Sequence, residues 1–167
     1  MYYRLIITAF FIYGVMACKS SDMMPQQSNN PNWDMNNLSN GGKGGIVAPF
    51  GTWKMVAYEN NITTSYDVSI EIKNEKNETG QYIINGKGPL NFYFAFFTSE
   101  FEKRTMVVTG VGGTKIKGSA EEVAFEEDYW NRLSKVERYE VLNNGQTLVL
   151  HLPEKENKKI TYKFIKG

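Results

Sequence analysis

The pattern predicts an α+β domain: a curled antiparallel sheet, or partly open β-barrel, of about eight strands with one helix packed across it. Three observations carry this. From Phe50 onward, apolar and polar residues alternate in short runs. Between Ser119 and Val136 the period switches from two to nearly four. Near the end, Asn144-Gly145 separates two further alternating runs. Short strands around a single helical segment fit a sheet closed on one side by that helix.

Thr52–Tyr58 reads as the first strand, with Trp53, Met55 and Ala57 on one face. Asp67–Lys73 alternates strictly, so one face is buried and the other wet. A polar turn over Asn74–Gly80 leads to Tyr82–Ile84, which Gly86, Gly88 and Pro89 interrupt. Leu90–Phe97 is apolar on both faces: Leu90, Phe92, Phe94 and Phe96 on one, Asn91, Tyr93, Ala95 and Phe97 on the other. Thr105–Thr109 is a fifth strand, and Gly110, Gly112, Gly113 and Gly118 mark loops.

Ser119 followed by Glu122 forms a capping box that opens a helix over Ala120–Val136. Phe125, Tyr129, Leu133 and Val136 make its apolar stripe. Early acidic residues and late Arg132 and Lys135 complement the helix dipole. Asp128 and Arg132 form an i,i+4 pair worth about 0.2–0.5 kcal/mol. The last strands are Tyr139–Leu142, Thr147–Leu152 and Ile160–Phe164.

The chain ahead of Phe50 has a different character. Residues 1–17 carry one charge, Arg4, and an uncharged run from Leu5 to Val15, too short to span a bilayer. Val15-Met16-Ala17-Cys18 follows and resembles the bacterial lipobox. That resemblance implies removal of residues 1–17 and lipid attachment at Cys18, the only cysteine of the 167 residues. Residues 18–48 then read as the lipidated Cys and a linker rich in Asn, Ser, Gly and Pro, and 49–167 as the folded domain. The expected address is the bacterial cell envelope, held to the membrane by lipid at the outer membrane.

Composition excludes several activities. One Cys and one His build neither a disulfide framework nor an N/S metal site. Removing Arg4 with the leader leaves 18 basic against 18 acidic residues, so there is no field for nucleic acid. Gly110-Val-Gly112-Gly113-Thr114-Lys115 fails the phosphate-loop order. His151 lies on a strand without a nucleophile to activate. Glu121, Glu122, Glu126, Glu127 and Asp128 lack the glycine and spacing of a calcium loop and read as a solvated helix face. No loop has the form of a protease inhibitor's. The expectation is a protein that is not an enzyme and uses no metal or cofactor.

The segment Gly88-Pro-Leu-Asn91-Phe-Tyr93-Phe-Ala95, then Thr114-Lys115-Ile116-Lys117-Gly118, then a helix with Glu126 and Leu133 before Tyr139-Glu-Val141, resembles the META domain family, the HslJ-like heat-shock lipoproteins. Gly51-Thr52-Trp53 and Leu148-Val-Leu150 fit the same frame, and the resemblance covers residues 50–166. Many members carry cysteines near these segments; Pro89, Leu90 and Gly118 stand there instead, so that disulfide is excluded. The resemblance implies an envelope domain linked with stress tolerance, with no established catalytic residues. Some members also resemble secretin pilot lipoproteins, which hold a lipid or peptide in an apolar cavity.

The doubly apolar strand leaves two readings open. In one, the helix covers its second face through Tyr129 and Trp130. In the other, Tyr93, Phe97 and Trp130 line a patch or cavity for an apolar ligand or an envelope protein. A lipocalin-like carrier of a small hydrophobic ligand is the alternative function. It needs an interior that Trp53, Ile70, Phe94 and Leu150 do not fill.

Overall fold

A computed structural model describes residues 47–58 and 62–166. Cys18, the leader, most of the linker and residues 59–61 lie outside the described residues. Among the described residues, eight strands form one antiparallel sheet: β1 (Gly51–Ala57), β2 (Ser69–Lys76), β3 (Tyr82–Lys87), β4 (Phe92–Thr98), β5 (Val107–Gly113), β6 (Arg138–Leu142), β7 (Thr147–His151) and β8 (Lys159–Lys166). Their spatial order is β5-β4-β3-β2-β1-β8-β7-β6. One helix, α1 (Ala120–Leu133), joins β5 to β6. The α+β half-barrel with a single helix is as the sequence predicts.

The sheet curls until its two edges meet at one end. Thr105 bridges Arg138, the Met106 amide donates to the Glu137 carbonyl at 2.9 Å, and the Tyr139 amide donates to the Arg104 carbonyl at 3.0 Å. Beyond that pinch the edges separate, and α1 lies between β5 and β6 along the chain. Pinching shortens the free edge that an open sheet would expose.

The inner face holds the core. Trp53, Met55, Ile70, Ile72, Ile84, Leu148, Leu150, Ile160 and Tyr162 point inward, and α1 adds Tyr129 and Leu133. Both halves of the capping box form: the Glu122 amide donates to Ser119 Oγ at 3.2 Å, and the Ser119 amide donates to Glu122 Oε2 at 2.9 Å. Arg132 Nε reaches Asp128 Oδ2 at 2.6 Å. The helix ends at Leu133, one turn short of the predicted Val136, with Ser134 as its cap. Val136 is buried all the same, as the next residue of the stripe in the exit segment. The β6–β7 hairpin turns at Asn143, Asn144 and Gly145, all with positive φ, a conformation that Asn and Gly tolerate best.

Two glycine assignments change. β3 runs through Gly86 rather than stopping before it, because the Tyr93 ring of β4 lies flat on that position; a Cβ there would sit 2.0 Å from Tyr93 Cζ. β5 likewise runs through Gly110, Gly112 and Gly113. Gly110, at φ 64°, sits where the β4–β5 register shifts, a bulge. The rings of Phe96 and Phe94 cover Gly110 and Gly112 from across the pair, and a Cβ would meet them at 3.2 and 3.1 Å. A neighbouring aromatic ring shields the backbone that a glycine leaves bare.

Candidate functional site: two faces of the aromatic strand

Two of the three aromatic residues proposed from sequence for binding are core. Tyr93 is 3% exposed and Phe97 is fully buried. They do not line an open surface, because β4 turns this face toward the barrel interior and α1 lies over it. Trp130 is half-buried; it sits 6.3 Å from Tyr93 between ring centroids, against the backbone of Gly113. The helix therefore covers the Asn91–Phe97 face through Tyr129 and Trp130, the first of the two readings above.

A polar clasp holds the covered face shut. Glu126 is 4% exposed, not part of a solvated helix face as the acidic run suggested. It stands three residues before Tyr129, on the inward side of the helix. Glu126 Oε1 accepts from the Asn91 amide at 2.9 Å, and Oε2 accepts from Asn91 Nδ2 at 2.5 Å. Asn91 Oδ1 in turn accepts from Thr114 Oγ1 at 2.8 Å and from the Ile116 amide at 2.7 Å. The Asn91 carbonyl accepts from the Gly88 amide at 2.7 Å. One asparagine thus ties the β3–β4 turn, the β5–α1 connection and the helix together. A Cβ at Gly88 would lie 2.3 Å from Glu126 Oε1, so any larger residue there has to displace the clasp's carboxylate. Gly88, Asn91, Thr114 and Glu126 act here as a structural fastening. The Asn91 amide and Nδ2 both reach the Glu126 carboxylate, so this buried pair is tied up in holding the fold.

A second buried network lies deeper. The Tyr93, Tyr129 and Tyr162 hydroxyls form a chain, with Tyr93–Tyr129 at 2.6 Å and Tyr129–Tyr162 at 3.0 Å. Tyr93 donates to the Ser69 carbonyl at 3.0 Å, and a carbonyl only accepts. The proton order is therefore fixed: Tyr162 donates to Tyr129, Tyr129 to Tyr93, and Tyr93 to Ser69. Burial pushes the Tyr129 phenol up to about 12. Burial, with the neighbouring phenols, raises Tyr93 and Tyr162 well above the usual tyrosine range. All three are neutral donors at physiological pH, which suits a core better than a proton relay.

The outer face of β4 is the reverse. Phe92 is 63% exposed and Phe94 47%. Phe96 is half-buried beside Phe94, with ring centroids 5.9 Å apart. Register extends the strip: Ile83 lies opposite Phe96 on β3, and Val107, exposed, lies opposite Thr98 on β5. Exposed Ile116 follows at the Phe92 end, where the Thr114 amide donates to the Phe92 carbonyl at 3.0 Å. Lysines flank this apolar strip. Lys87 pairs with Phe92, while Lys54 and Lys163 pair with each other further round the same face. Lys115 and Lys117 bracket Ile116. Lys54 and Lys87 grip Asp67 at 3.0 and 3.2 Å and hold its carboxyl below the usual range. Glu71 is the other carboxylate on this stretch, opposite Asn85.

The sequence pairs Phe92, Phe94 and Phe96 on one face but does not single them out as a surface.

Among the described residues no helix is long and apolar enough to cross a membrane, and no cluster of three or more His, Cys, Asp or Glu could hold a metal ion. No family model matches the chain, and no curated protein matches it. Solved structures do resemble it. A protein from Burkholderia xenovorans, solved by NMR, superposes with a TM-score of 0.52 at 16% identity, over 74% of this chain and 94% of that one. A DUF4847 family protein from Bacteroides vulgatus superposes with a TM-score of 0.49 at 14% identity, over 72% of this chain and 96% of that one. At such identities the likeness of the first is one of fold alone.

Proposed function

We propose that this chain is a lipid-anchored, non-enzymatic domain of the bacterial cell envelope, META-like in type, that recognises a protein or apolar ligand through the outer face of β4 and β5. The observation that carries the reading is the outward row of exposed Phe92 and Phe94 and half-buried Phe96, on a strand whose other face is already sealed. A contiguous apolar strip on a small domain marks a contact surface. The address rests on Val15-Met16-Ala17-Cys18, and two or more acyl chains at Cys18 would anchor stably. The lipocalin-like carrier draws less support. Trp53, Ile70 and Leu150 fill the interior beside three tyrosines, and only Phe94 of the four tested positions faces out.

Mass spectrometry of membrane-derived protein tests the anchor. A diacylated or triacylated Cys18 at the mature N-terminus is expected, and Cys18→Ser should release the domain into the soluble fraction. An unmodified thiol on a secreted product would overturn the address. Capture from envelopes tests the face: Phe92→Ser with Phe94→Ser should lose the bound species while keeping the wild-type melting temperature within a few degrees. Unchanged capture would refute the face.

A further inference from the structure

We infer that the occupant of this outer face is an anionic lipid surface, on which the domain lies with β4 and β5 down. This deepens the reading above and rests on its assignment of the binding face. The first argument is chemical. The side chains of Phe92, Phe94, Phe96, Ile83 and Val107 carry no hydrogen-bond donor or acceptor. A strip of that kind specifies immersion in an apolar layer and encodes little about a partner's sequence. The second is charge. Lys54, Lys87, Lys163, Lys115 and Lys117 share the strip's surroundings with three carboxylates: Asp67, which spans Lys54 and Lys87, Glu71, and Glu122, which lies against Gly118 beside Lys117. The chain as a whole carries a formal charge of only +1, so this excess is local to the face. Lysines beside exposed aromatics complement anionic headgroups over an acyl layer. The third is reach. Residues 19–46 separate Cys18 from the domain and measure about 90 Å at full extension, so an anchor at Cys18 leaves the face free to settle on the same bilayer.

The test uses the chain's cysteine content. Replacing Cys18 by Ser removes the only thiol and any acyl anchor. In the mature chain, residues 18–167, with that replacement, Phe92→Cys and, on the exposed side of α1, Asn131→Cys each receive an environment-sensitive fluorophore. Both labelled chains are first checked for the parental melting temperature. Vesicles of phosphatidylcholine alone are compared with vesicles containing one third phosphatidylglycerol. The label at 92 should brighten severalfold and shift to the blue on the anionic vesicles, at least fivefold more than on phosphatidylcholine, and lose most of that response in 0.5 M salt. The label at 131 should stay unchanged. Adding Phe94→Ser should weaken the partition at 92 about tenfold. An unresponsive label at 92 overturns the inference, as does an equal response at both sites or on both lipids. A response to envelope protein but not to vesicles also overturns it, and leaves a protein-binding face standing. Because this chain lacks the anchor, failure here is separate from failure at Cys18.

Discussion

The inner and outer faces of β4 use the same residue type to opposite ends. Phe97 points inward, stacks on Tyr82 at 5.2 Å and is lost from solvent entirely. Phe92 and Phe94 point outward and keep about half their surface in water. Alternate residues on one strand thus divide into fold and contact. What separates them is cover: Asn91, Glu126 and the tyrosine chain bind the helix over one face, while nothing among the described residues lies over the other. Phenylalanine on a strand is informative only with its register partners.

The sharpest way to break this comparison is to truncate one ring on each face. Phe97→Ala should destabilise the domain by about 3–5 kcal/mol, the usual cost of emptying a packed aromatic site. Denaturant unfolding with unchanged slope checks it. A loss below about 1 kcal/mol would mean that the inner face is not a tightly packed core. Glu126→Ala comes next, at about 3 kcal/mol. It leaves two Asn91 donors buried without an acceptor, at roughly 1–3 kcal/mol each. If Glu126→Ala is as stable as the parent, the clasp does not hold α1 on the sheet.

The two faces also differ in how they answer to pH. Below about pH 10, folded and unfolded chains both hold their phenolic protons, and the buried tyrosines add no pH dependence. Above that, the unfolded chain releases protons that folded Tyr129 keeps until about 12. Tyr93 and Tyr162 are raised as well. The unfolded state then binds fewer protons, so stability falls as pH rises, by up to about 1.4 kcal/mol per pH unit for each buried phenol. Alkaline unfolding should set in between pH 10 and 12. Absorbance near 295 nm should report delayed phenolate formation that ends at the unfolding step. Tyr129→Phe should flatten the slope. If Tyr93, Tyr129 and Tyr162 ionise together with the other tyrosines near pH 10 in a folded chain, the hydroxyl chain is not sealed.

Most of the scaffold was legible before the coordinates, and the failures share one cause. Alternation and one apolar run located all eight strands, though not the ends of β3 and β5, and Ser119 with Glu122 placed the helix start, because these are local rules. Which face of β4 is inside was not legible, since both faces are apolar and the periodicity has no polar tag. The polar residue that could have served, Asn91, sits on the buried side, satisfied by partners 23 to 35 residues away. Glu126 misled in the same manner: within the acidic run it looked wet, and only its spacing to Tyr129 and Leu133 set it apart. The glycines of β5 read as a loop because rings on the next strand, invisible to local patterning, supply the cover they lack. Long-range register decided each case.

The smallest expected effect sharpens the comparison most. Phe92→Ser removes a large apolar side chain from a strand, which propensity alone would count as destabilising. Phe92 is 63% exposed and covers none of the β5 glycines that Phe94 and Phe96 shield. Its removal should therefore change stability by no more than about 0.5 kcal/mol, within the range of ordinary surface substitutions. Phe94→Ser, which uncovers Gly112, should cost somewhat more, toward 1 kcal/mol. That order separates a ring kept for the sheet from a ring kept for contact. If Phe92→Ser costs as much as Phe97→Ala, the outward strip belongs to the fold's own packing and has no spare surface to give a partner.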